Sequence, residues 1–350
     1  MTRVARPLYV LKVVSYDEAL AASVPGRGVV VVRLNKGLDQ SVDVCRLPTS
    51  RYTGPIIDAH CHGGRSRATR RMIRAGELFG IRKWVLICRV DEIAALRRRH
   101  GDRVAFNAWS EHELVGRDQP FTDANLRIVE RAVRAGAVSI KFWYKPEFNE
   151  RSGVWFDDPR LDPVFDAIQQ SGLSVLVHIA DPDIWWRHRY SDPLRFESKR
   201  LTYRQLTNTL ERFPSLRVLL AHMGGWPENL SFLAELLDRH PNLYLDTSGT
   251  KWIARELSRR PAESRDFFVR YADRLLFGSD LVAFKHATFE HHCSRYWAHR
   301  FLYERSDTVR SPIEDEDAGG RVFLAGMNLP DAVLDRLYYA NAASFFRLGG

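Results

Sequence analysis

The 350-residue sequence lacks the features that mark several common protein classes. Its four cysteines show no CxxC spacing, which argues against a zinc finger and against a disulfide framework. No run of about 18 apolar residues occurs, so no membrane-spanning helix is expected. The apolar run near the N-terminus is short and has no small-residue cleavage site, so we expect no signal peptide and predict a cytoplasmic protein. The phosphate-binding patterns GxGxxG, after the first strand, and GxxxxGK(S/T) are also missing.

The net charge is positive, but its distribution is not that of a nucleic-acid-binding protein. Lys and Arg number 52 against 43 Asp and Glu, which leaves a formal net charge of +9. No block of basic residues interleaved with aromatic residues occurs, so a nucleic-acid partner is not expected. A basic protein that prefers anionic substrates is the favoured interpretation. The composition, 45% apolar and 27% charged, is otherwise that of a globular protein.

From about residue 55 onward, short apolar segments alternate with amphipathic helical segments. Eight such alternations in roughly 290 residues predict an α/β protein, an eight-stranded (β/α) TIM barrel. The predicted strands are Pro55–His60, Trp84–Arg89, Val104–Trp109, Val138–Trp143, Ser174–His178, Arg217–His222, Asn242–Asp246 and Leu275–Asp280. The predicted helices include Asn125–Ala135, Pro159–Gln170, Leu201–Arg212 and Pro227–Arg239.

The first 52 residues differ from this pattern. We therefore predict two parts, an N-terminal extension over residues 1–52 and the barrel over residues 53–350. Within the extension, Val29–Arg33 and Ser41–Arg46 flank a turn-like segment and predict a small β-hairpin appended to the barrel. Near the other end, the polar segment Glu304–Arg321 predicts a long loop before a final helix from about Pro330 to Phe346.

Polar side chains of a few chemical types occur where five of the predicted strands end. They are His60 and His62 at the first strand, Lys141 at the fourth, His178 at the fifth, His222 at the sixth and Asp280 at the eighth. The carboxyl ends of barrel strands meet at one rim, so these side chains are expected to converge. Alternate residues of a strand share a face, so both histidines of an HxH motif point the same way. Imidazole and carboxylate are ligands of Zn²⁺, and the pattern therefore predicts a divalent-metal site.

A metal at this rim implies a definite chemistry. Zinc lowers the pKa of bound water from 15.7 to about 7, which makes hydroxide available at neutral pH. Asp280 is placed to take the proton of that water and to pass it to a leaving group. The segment Glu290–Cys293 also contains two histidines, but it lies in a predicted helix. Adjacent helical side chains point about 100° apart, so a packing or surface role is favoured there over a second metal site.

Several motifs also resemble those of the amidohydrolase superfamily. They are IIDAHCHGG, SIKFW, LVHIAD, LLAHMGG, LLFGSD and NAASFF, in that order over about residues 55–347. The closest similarity is to the "amidohydrolase 2" branch, which contains aminocarboxymuconate-semialdehyde decarboxylase. The resemblance implies a metal-dependent barrel in which His60, His62 and His178 are ligands and Asp280 is a ligand or proton carrier. His222 matches a histidine that binds a second metal in binuclear members and acts as an acid/base or carbonyl-polarising group in mononuclear ones.

The resemblance leaves the number of metal ions open. In binuclear members a carboxylated lysine at the position of Lys141 bridges two ions, whereas the single-metal branch often carries a lysine nearby without that use. The flanking motifs favour one ion over two. Asp58 precedes the HxH motif and is interpreted as a structural residue or as a partner of a ligating histidine. The resemblance also suggests a homodimer.

Aromatic and basic residues crowd the predicted rim loops. Trp143 ends the fourth strand, Trp185 lies in the loop after the fifth, and Arg89 ends the second. Aromatic walls with a few guanidinium groups suit a planar or carboxylate-bearing small molecule, and Arg89 is the best candidate for the anion contact. The loop DPDIWWRHRYSDP departs from the pattern of the branch, and rim loops set substrate choice, so no specific substrate is implied.

Together these observations predict a metal-dependent hydrolase that cleaves a C–N or C–O bond of a small organic acid, amide or lactone with metal-activated water. The alternative is a metal-dependent, non-oxidative decarboxylase of a small aromatic or enoic carboxylic acid, in which His222 or Asp280 handles the proton that replaces CO₂. A catalytically silent barrel and a nucleic-acid-binding protein are less favoured, because every expected ligand is present. No membrane partner is expected.

Overall fold

The chain forms a parallel β-sheet covered by helices. The computed structural model describes residues 38, 41–49, 51–110 and 118–348. The strands are β1 (Ile56–His62), β2 (Ile81–Cys88), β3 (Val104–Trp109), β4 (Ser139–Trp143), β5 (Ser174–His178), β6 (Val218–Leu220), β7 (Leu243–Asp246), β8 (Leu275–Leu276) and β9 (Leu281–Val282). Their order in the sheet is β8-β7-β6-β5-β4-β3-β2-β1-β9, and every neighbouring pair is parallel. Nearly all strand residues are buried, as parallel sheets require.

Helices connect the strands and cover the outer face of the sheet. They are α1 (Arg67–Leu78), α2 (Ile93–His100), α3 (Asp118–Ala135), α4 (Pro146–Ser152), α5 (Asp162–Ser171), α6 (Asp183–His188), α7 (Lys199–Arg212), α8 (Leu230–Arg239), α9 (Thr250–Arg259), α10 (Pro261–Arg270), α11 (Phe289–Glu304), α12 (Asp331–Asp335) and α13 (Asn341–Phe345). The larger apolar cluster lies between these helices and the sheet. Among the described residues, no helix is both long and apolar enough to cross a membrane.

The predicted α/β class and parallel sheet are confirmed, but the strand count differs from eight. The difference lies in the last segment, where residues 277–280 separate β8 from β9. Asp280 has φ +54°, a left-handed conformation that interrupts an extended strand. This interrupted segment still hydrogen-bonds to β1, because Ala59 N donates to Phe277 O at 2.9 Å and Asp280 N donates to His60 O at 2.7 Å.

One prediction for the flanking segments needs correction, and the N-terminal hairpin stays a prediction. Val29–Arg33 lies outside the described residues, and Ser41–Arg46 forms turns and bends. The predicted loop Glu304–Arg321 is wrong, because an antiparallel hairpin is present there, with strands β10 (Thr308–Asp315) and β11 (Gly320–Ala325). Polar residues of this hairpin such as Ser311 and Asp315 are buried, so its first strand lacks the apolar run that predicts a strand. The predicted final helix is confirmed as α12, one π-helical turn and α13.

A second apolar cluster fills one end of the space enclosed by the sheet. It contains Phe345 at the end of α13 and the next residue, Phe346, which pack against side chains of several strands. The strand members include Ile57, Val85, Ala105, Leu176, Leu219 and Leu276. Since this end is filled by apolar side chains, the polar residues at the carboxyl ends of the strands are left to form the functional face.

Candidate metal centre

An irregularity in β1 directs two histidines toward the interior. The pairing of β1 with β2 slips between Asp58 and Cys61. Ala59 belongs to the inner apolar cluster, whereas Cys61 packs in the outer one, although strict alternation would place both on one face. The slip lets His60 and His62 both approach the Asp280 carboxylate. Bulges near active sites commonly redirect side chains in this way.

Three of the predicted ligands converge. His60, His222 and Asp280 each offer a ligand atom, and these atoms lie within 4.8 Å of one another. Asp280 Oδ1 lies 3.4 Å from His60 Nε2 and 3.1 Å from His62 Nε2. The histidines are buried, while 30% of the Asp280 side chain is exposed, so the group opens toward solvent on that side. Two imidazole nitrogens and a carboxylate oxygen are a donor set that Zn²⁺ and Mn²⁺ accept.

Asp246 and Ser248 orient two of these histidines, and the sequence analysis missed both residues. His60 Nδ1 lies 2.8 Å from Asp246 Oδ2 and 2.9 Å from Ser248 Oγ, which is also 2.8 Å from His222 Nδ1. His60 Nε2 therefore points to the Asp280 side and makes no hydrogen bond within the described part of the chain. A ring held by a carboxylate on one nitrogen and bare on the other fits a metal ligand. The available signal was that a predicted strand ends in Asp246.

The His178 ring lies beside the centre, but one of its nitrogens contacts another carboxylate. Its ring lies at the end of β5, with its centroid 4.7 Å from that of His222. Its Nε2, however, lies 3.0 Å from Asp181 Oδ1, and Asp181 also accepts a hydrogen bond from Tyr190 at 2.6 Å. The structure thus brings His178 beside the three converging groups, with one ring nitrogen already held by a buried carboxylate.

Two residues of the centre have left-handed backbone conformations. His222 has φ +59° and Asp280 has φ +54°, values that are uncommon outside glycine and that cluster at functional sites. Backbone hydrogen bonds hold both in place, since His222 N donates to Asp246 Oδ1 at 2.9 Å and Asp280 N donates to His60 O. The turn that follows β6 therefore serves to present the His222 ring to the centre.

The environment sets the charge of these groups. Burial lowers the pKa of His222 to about 3, an effect that the neighbouring Asp280 opposes. Burial also lowers the pKa of His62. For Asp280, burial acts to raise the pKa, but the hydrogen bond from His62 and the nearby His222 outweigh it and hold the pKa well below its usual range. Neutral imidazoles and an ionised carboxylate are the forms that bind a metal.

Lys141 and Asp58 are both buried near the centre, in different roles. Lys141 on β4 is only 2% exposed, and its charge contributes to the lowered pKa of His62. The Asp58 carboxylate accepts hydrogen bonds from Ser279 Oγ at 2.6 Å and from Tyr296 at 2.8 Å. Burial raises the pKa of Asp58 to about 6. Asp58 thus joins β1 to the last sheet segment and to α11, which is the structural one of its two predicted roles.

An aromatic stack connects the centre to the rim. The Trp252 ring lies 5.1 Å from that of His222 and stacks on Trp185, with centroids 6.1 Å apart and planes at 15°. The guanidinium of Arg189 lies 3.7 Å above Trp185 on its ring face. Trp185 Nε1 donates to Asp317 Oδ2 at 2.8 Å, so the β10–β11 hairpin holds the stack from outside.

Trp143 and Arg89, the other two predicted substrate contacts, lie outside the stack of Trp185 on Trp252. Trp143 is buried, with Lys145 Nζ 4.8 Å from its ring centroid. The Arg89 side chain is 77% exposed, and its polar contact among the described residues is Asp91 Oδ1 at 3.4 Å. The structure therefore brings Trp185 into the stack that reaches His222, whereas Arg89 touches none of the three converging ligands. The segment Glu290–Cys293 lies in α11, as predicted.

The parallel α/β sheet with this group of histidines and a carboxylate defines a metal-dependent enzyme. The amidohydrolase family model matches residues 57–348, and the chain belongs to that family. No curated protein sequence matches the chain.

Several solved structures share the fold. A 2,6-dihydroxybenzoate decarboxylase in complex with 2,6-dihydroxybenzoate is 15% identical, with a TM-score of 0.54 over 85% of this chain and 100% of that one. A 5-carboxyvanillate decarboxylase from Novosphingobium aromaticivorans, complexed with manganese and 4-hydroxy-3-methoxy-5-nitrobenzoic acid, is 15% identical, with a TM-score of 0.53 over 87% and 99%. A proposed 2-pyrone-4,6-dicarboxylic acid hydrolase from Pseudomonas putida is 15% identical, with a TM-score of 0.50 over 85% and 98%.

Proposed function

We propose that the protein is a hydrolase that cleaves a C–N or C–O bond of a small organic acid, amide or lactone with metal-activated water. The observation that carries the proposal is the convergence of ligand atoms from His60, His222 and Asp280 within 4.8 Å. A divalent ion bound there, proposed to be a single Zn²⁺, supplies Lewis acidity and lowers the pKa of water toward 7. The exposure of Asp280 supports a site that substrate can enter.

The residues of the centre have distinct proposed roles. His60, His62 and His178 hold the ion together with Asp280, and His222 is a further ligand or an acid/base group. Asp280 is the group that takes the proton of the attacking water, because its carboxylate lies among the ligands and is partly exposed. Lys141, buried on β4, becomes a ligand only if it is carboxylated and two ions are present.

The proposed substrate is small, planar and carboxylate-bearing. The stack of Trp185 on Trp252 beside His222 supports a planar molecule, because a ring can pack against such a wall. Trp143, Trp185 and Arg89 are the proposed contacts, with Arg89 as the anion contact at the end of β2. The two decarboxylase structures of similar fold hold aromatic acids, which supports the same substrate class here.

A non-oxidative decarboxylase is the second candidate, and those two aromatic-acid complexes are the observation that favours it. In that reaction the substrate carboxylate leaves as CO₂, and a proton delivered from His222 or Asp280 takes its place on carbon. The two candidates use the same residues and differ in whether water enters the product.

Isotope tracing separates the candidates. The zinc- or manganese-loaded protein is incubated in H₂¹⁸O with panels of lactones, amides and aromatic acids, and products are analysed by mass spectrometry. Incorporation of ¹⁸O into a product that His60→Ala does not form supports the hydrolase. Release of CO₂ without ¹⁸O in the remaining product supports the decarboxylase. Turnover of neither kind across the panels by the metal-loaded protein contradicts both.

We also propose that the nine strands form an eight-stranded barrel, with β8 and β9 as two parts of one strand. The hydrogen bond from Ala59 N to Phe277 O and the pairing of Cys61 with Leu281 support closure between this strand and β1. The division at residue 52, the homodimer and the cytoplasmic location stay predictions.

A further inference from the structure

Four polar groups meet in a buried pocket at the inner side of the metal centre. Ser248 Oγ lies 2.9 Å from His60 Nδ1 and 2.8 Å from His222 Nδ1, and it is hydrogen-bonded to Asp246 Oδ1. Asp246 Oδ1 also accepts hydrogen bonds from the backbone N–H groups of Ser248 at 3.0 Å and His222 at 2.9 Å. Asp246 Oδ2 lies 2.8 Å from His60 Nδ1. All four residues are buried, so protein groups must satisfy these atoms.

The protons in this pocket can be counted. An ionised carboxylate only accepts hydrogen bonds, a hydroxyl donates one, and a neutral imidazole carries one N–H. Two backbone N–H groups donate to Asp246 Oδ1, and the ionised carboxylate can only accept at Oδ2, where it faces His60 Nδ1. Asp246 Oδ2 therefore requires that His60 carries its proton on Nδ1. This leaves His60 Nε2 as a bare lone pair facing Asp280.

The same reasoning about protons determines which ring nitrogen of His222 is protonated. If the Ser248 hydroxyl donated to His222 Nδ1, the Ser248 and Asp246 oxygens would meet at hydrogen-bond distance with no proton between them. The hydroxyl therefore donates to Asp246 Oδ1, and only its lone pairs face His222. At 2.8 Å, His222 Nδ1 must then carry the proton that this contact requires.

We infer that Ser248 is a positioning residue: held by Asp246, its hydroxyl accepts from His222 Nδ1–H, so that Nε2 is the unprotonated nitrogen of His222 that is left for the metal centre. This rests on the proposed function and deepens it, because it assigns His222 as a ligand or proton acceptor at Nε2. A role in which His222 polarises a substrate carbonyl by donating from Nε2 would need the opposite tautomer.

Nitrogen-15 NMR of the metal-free protein tests the inference. Histidine is labelled with ¹⁵N, and long-range ¹H–¹⁵N correlations distinguish the two neutral tautomers. The His222 signals are assigned by their loss in His222→Gln. We expect the Nδ1–H tautomer for His222 in the native protein and a shift toward Nε2–H in Ser248→Ala. An Nε2–H tautomer in the native protein, or an unchanged Nδ1–H tautomer in a folded Ser248→Ala variant, would overturn the inference.

Zinc affinity gives a second readout. Orienting partners of ligating histidines contribute about 10–100-fold to metal affinity, so Ser248→Ala is expected to bind Zn²⁺ that much more weakly. Ser248→Thr keeps the hydroxyl and is expected to recover most of the affinity, which loss of packing alone would not explain. Equal zinc affinity in the native protein and Ser248→Ala would contradict the inference. The tautomer is measured without metal or substrate, so a failed hydrolase or decarboxylase assay leaves this result standing.

Discussion

Replacing His60 with alanine is expected to abolish the metal binding of the protein. Its Nε2 is buried, makes no hydrogen bond within the described part of the chain and lies 3.4 Å from Asp280 Oδ1. Its other nitrogen is held by Asp246 and Ser248, so the ring is already in a ligating orientation. The substitution leaves two of the three converging ligands, and catalytic zinc sites use three protein ligands.

The expected stabilisation by bound metal follows from the thermodynamic linkage between metal binding and folding. A ligand that binds only the folded state at a free concentration a hundredfold above its dissociation constant stabilises the protein by about 2.7 kcal/mol. The entropy of unfolding is about 2.1 cal/mol/K per residue, so for a chain of this length the melting temperature rises by about 4 °C. The alanine variant also leaves Asp246 Oδ2 without its hydrogen bond to His60, at a cost of about 1–3 kcal/mol. The informative quantity is therefore the shift on adding metal within each variant.

The assay combines elemental analysis with thermal unfolding. Protein is purified without chelator or a histidine tag, and its melting temperature is measured with EDTA and with added Zn²⁺ or Mn²⁺. The native protein is expected to hold about one ion per chain and to show the shift, and His60→Ala to show neither. The control His188→Ala, at an exposed histidine of α6, should behave like the native protein. A native protein that takes up neither metal would refute the reasoning about this centre.

Three further outcomes are expected. Arg300→Met leaves the buried Glu304 carboxylate without its cation and should lower the free energy of unfolding, measured in urea, by about 3–5 kcal/mol. The double variant Arg300→Met/Glu304→Met should recover most of that stability, and a loss below about 1 kcal/mol in the single variant would contradict this. Asp280→Asn should lower kcat/KM at least ~100-fold yet stay folded, because Asn tolerates the left-handed backbone at φ +54°; activity within tenfold of native would exclude Asp280 as the base. Trp185→Ala should raise KM for aromatic acids more than it lowers kcat, and an unchanged KM would remove Trp185 from the substrate wall.

The periodicity of the sequence was sufficient to predict the α/β class. Apolar runs bounded by turn residues predict strands from local information, because burial on both faces of a parallel sheet demands continuous apolar segments. The same property made the convergence of His60, His222 and Asp280 predictable. They follow different strands, and the carboxyl ends of parallel strands lie at one edge whatever their separation along the chain.

Local patterns were misleading where long-range contacts compensate for polar residues. The segment Glu304–Arg321 reads as a loop because it is acidic, yet Asp315 is buried against Arg255 and the segment pairs as a hairpin. The eighth strand similarly reads as continuous, but it is interrupted where Asp280 adopts a left-handed conformation and donates its N–H to β1. Neither result follows from the residues of the segment alone.

The sequence by itself determined which elements form and which strand ends carry ligands, because both depend on residues close together in the chain. Only the tertiary structure decided how those ligands are oriented. His60 and Asp246 are 186 residues apart, and their 2.8 Å contact exists only once β1 and β7 belong to the same sheet. The slip in β1, the hydroxyl of Ser248 between two rings and the turn of His178 toward Asp181 are likewise set by packing, since a side chain adopts the orientation that its spatial neighbours allow.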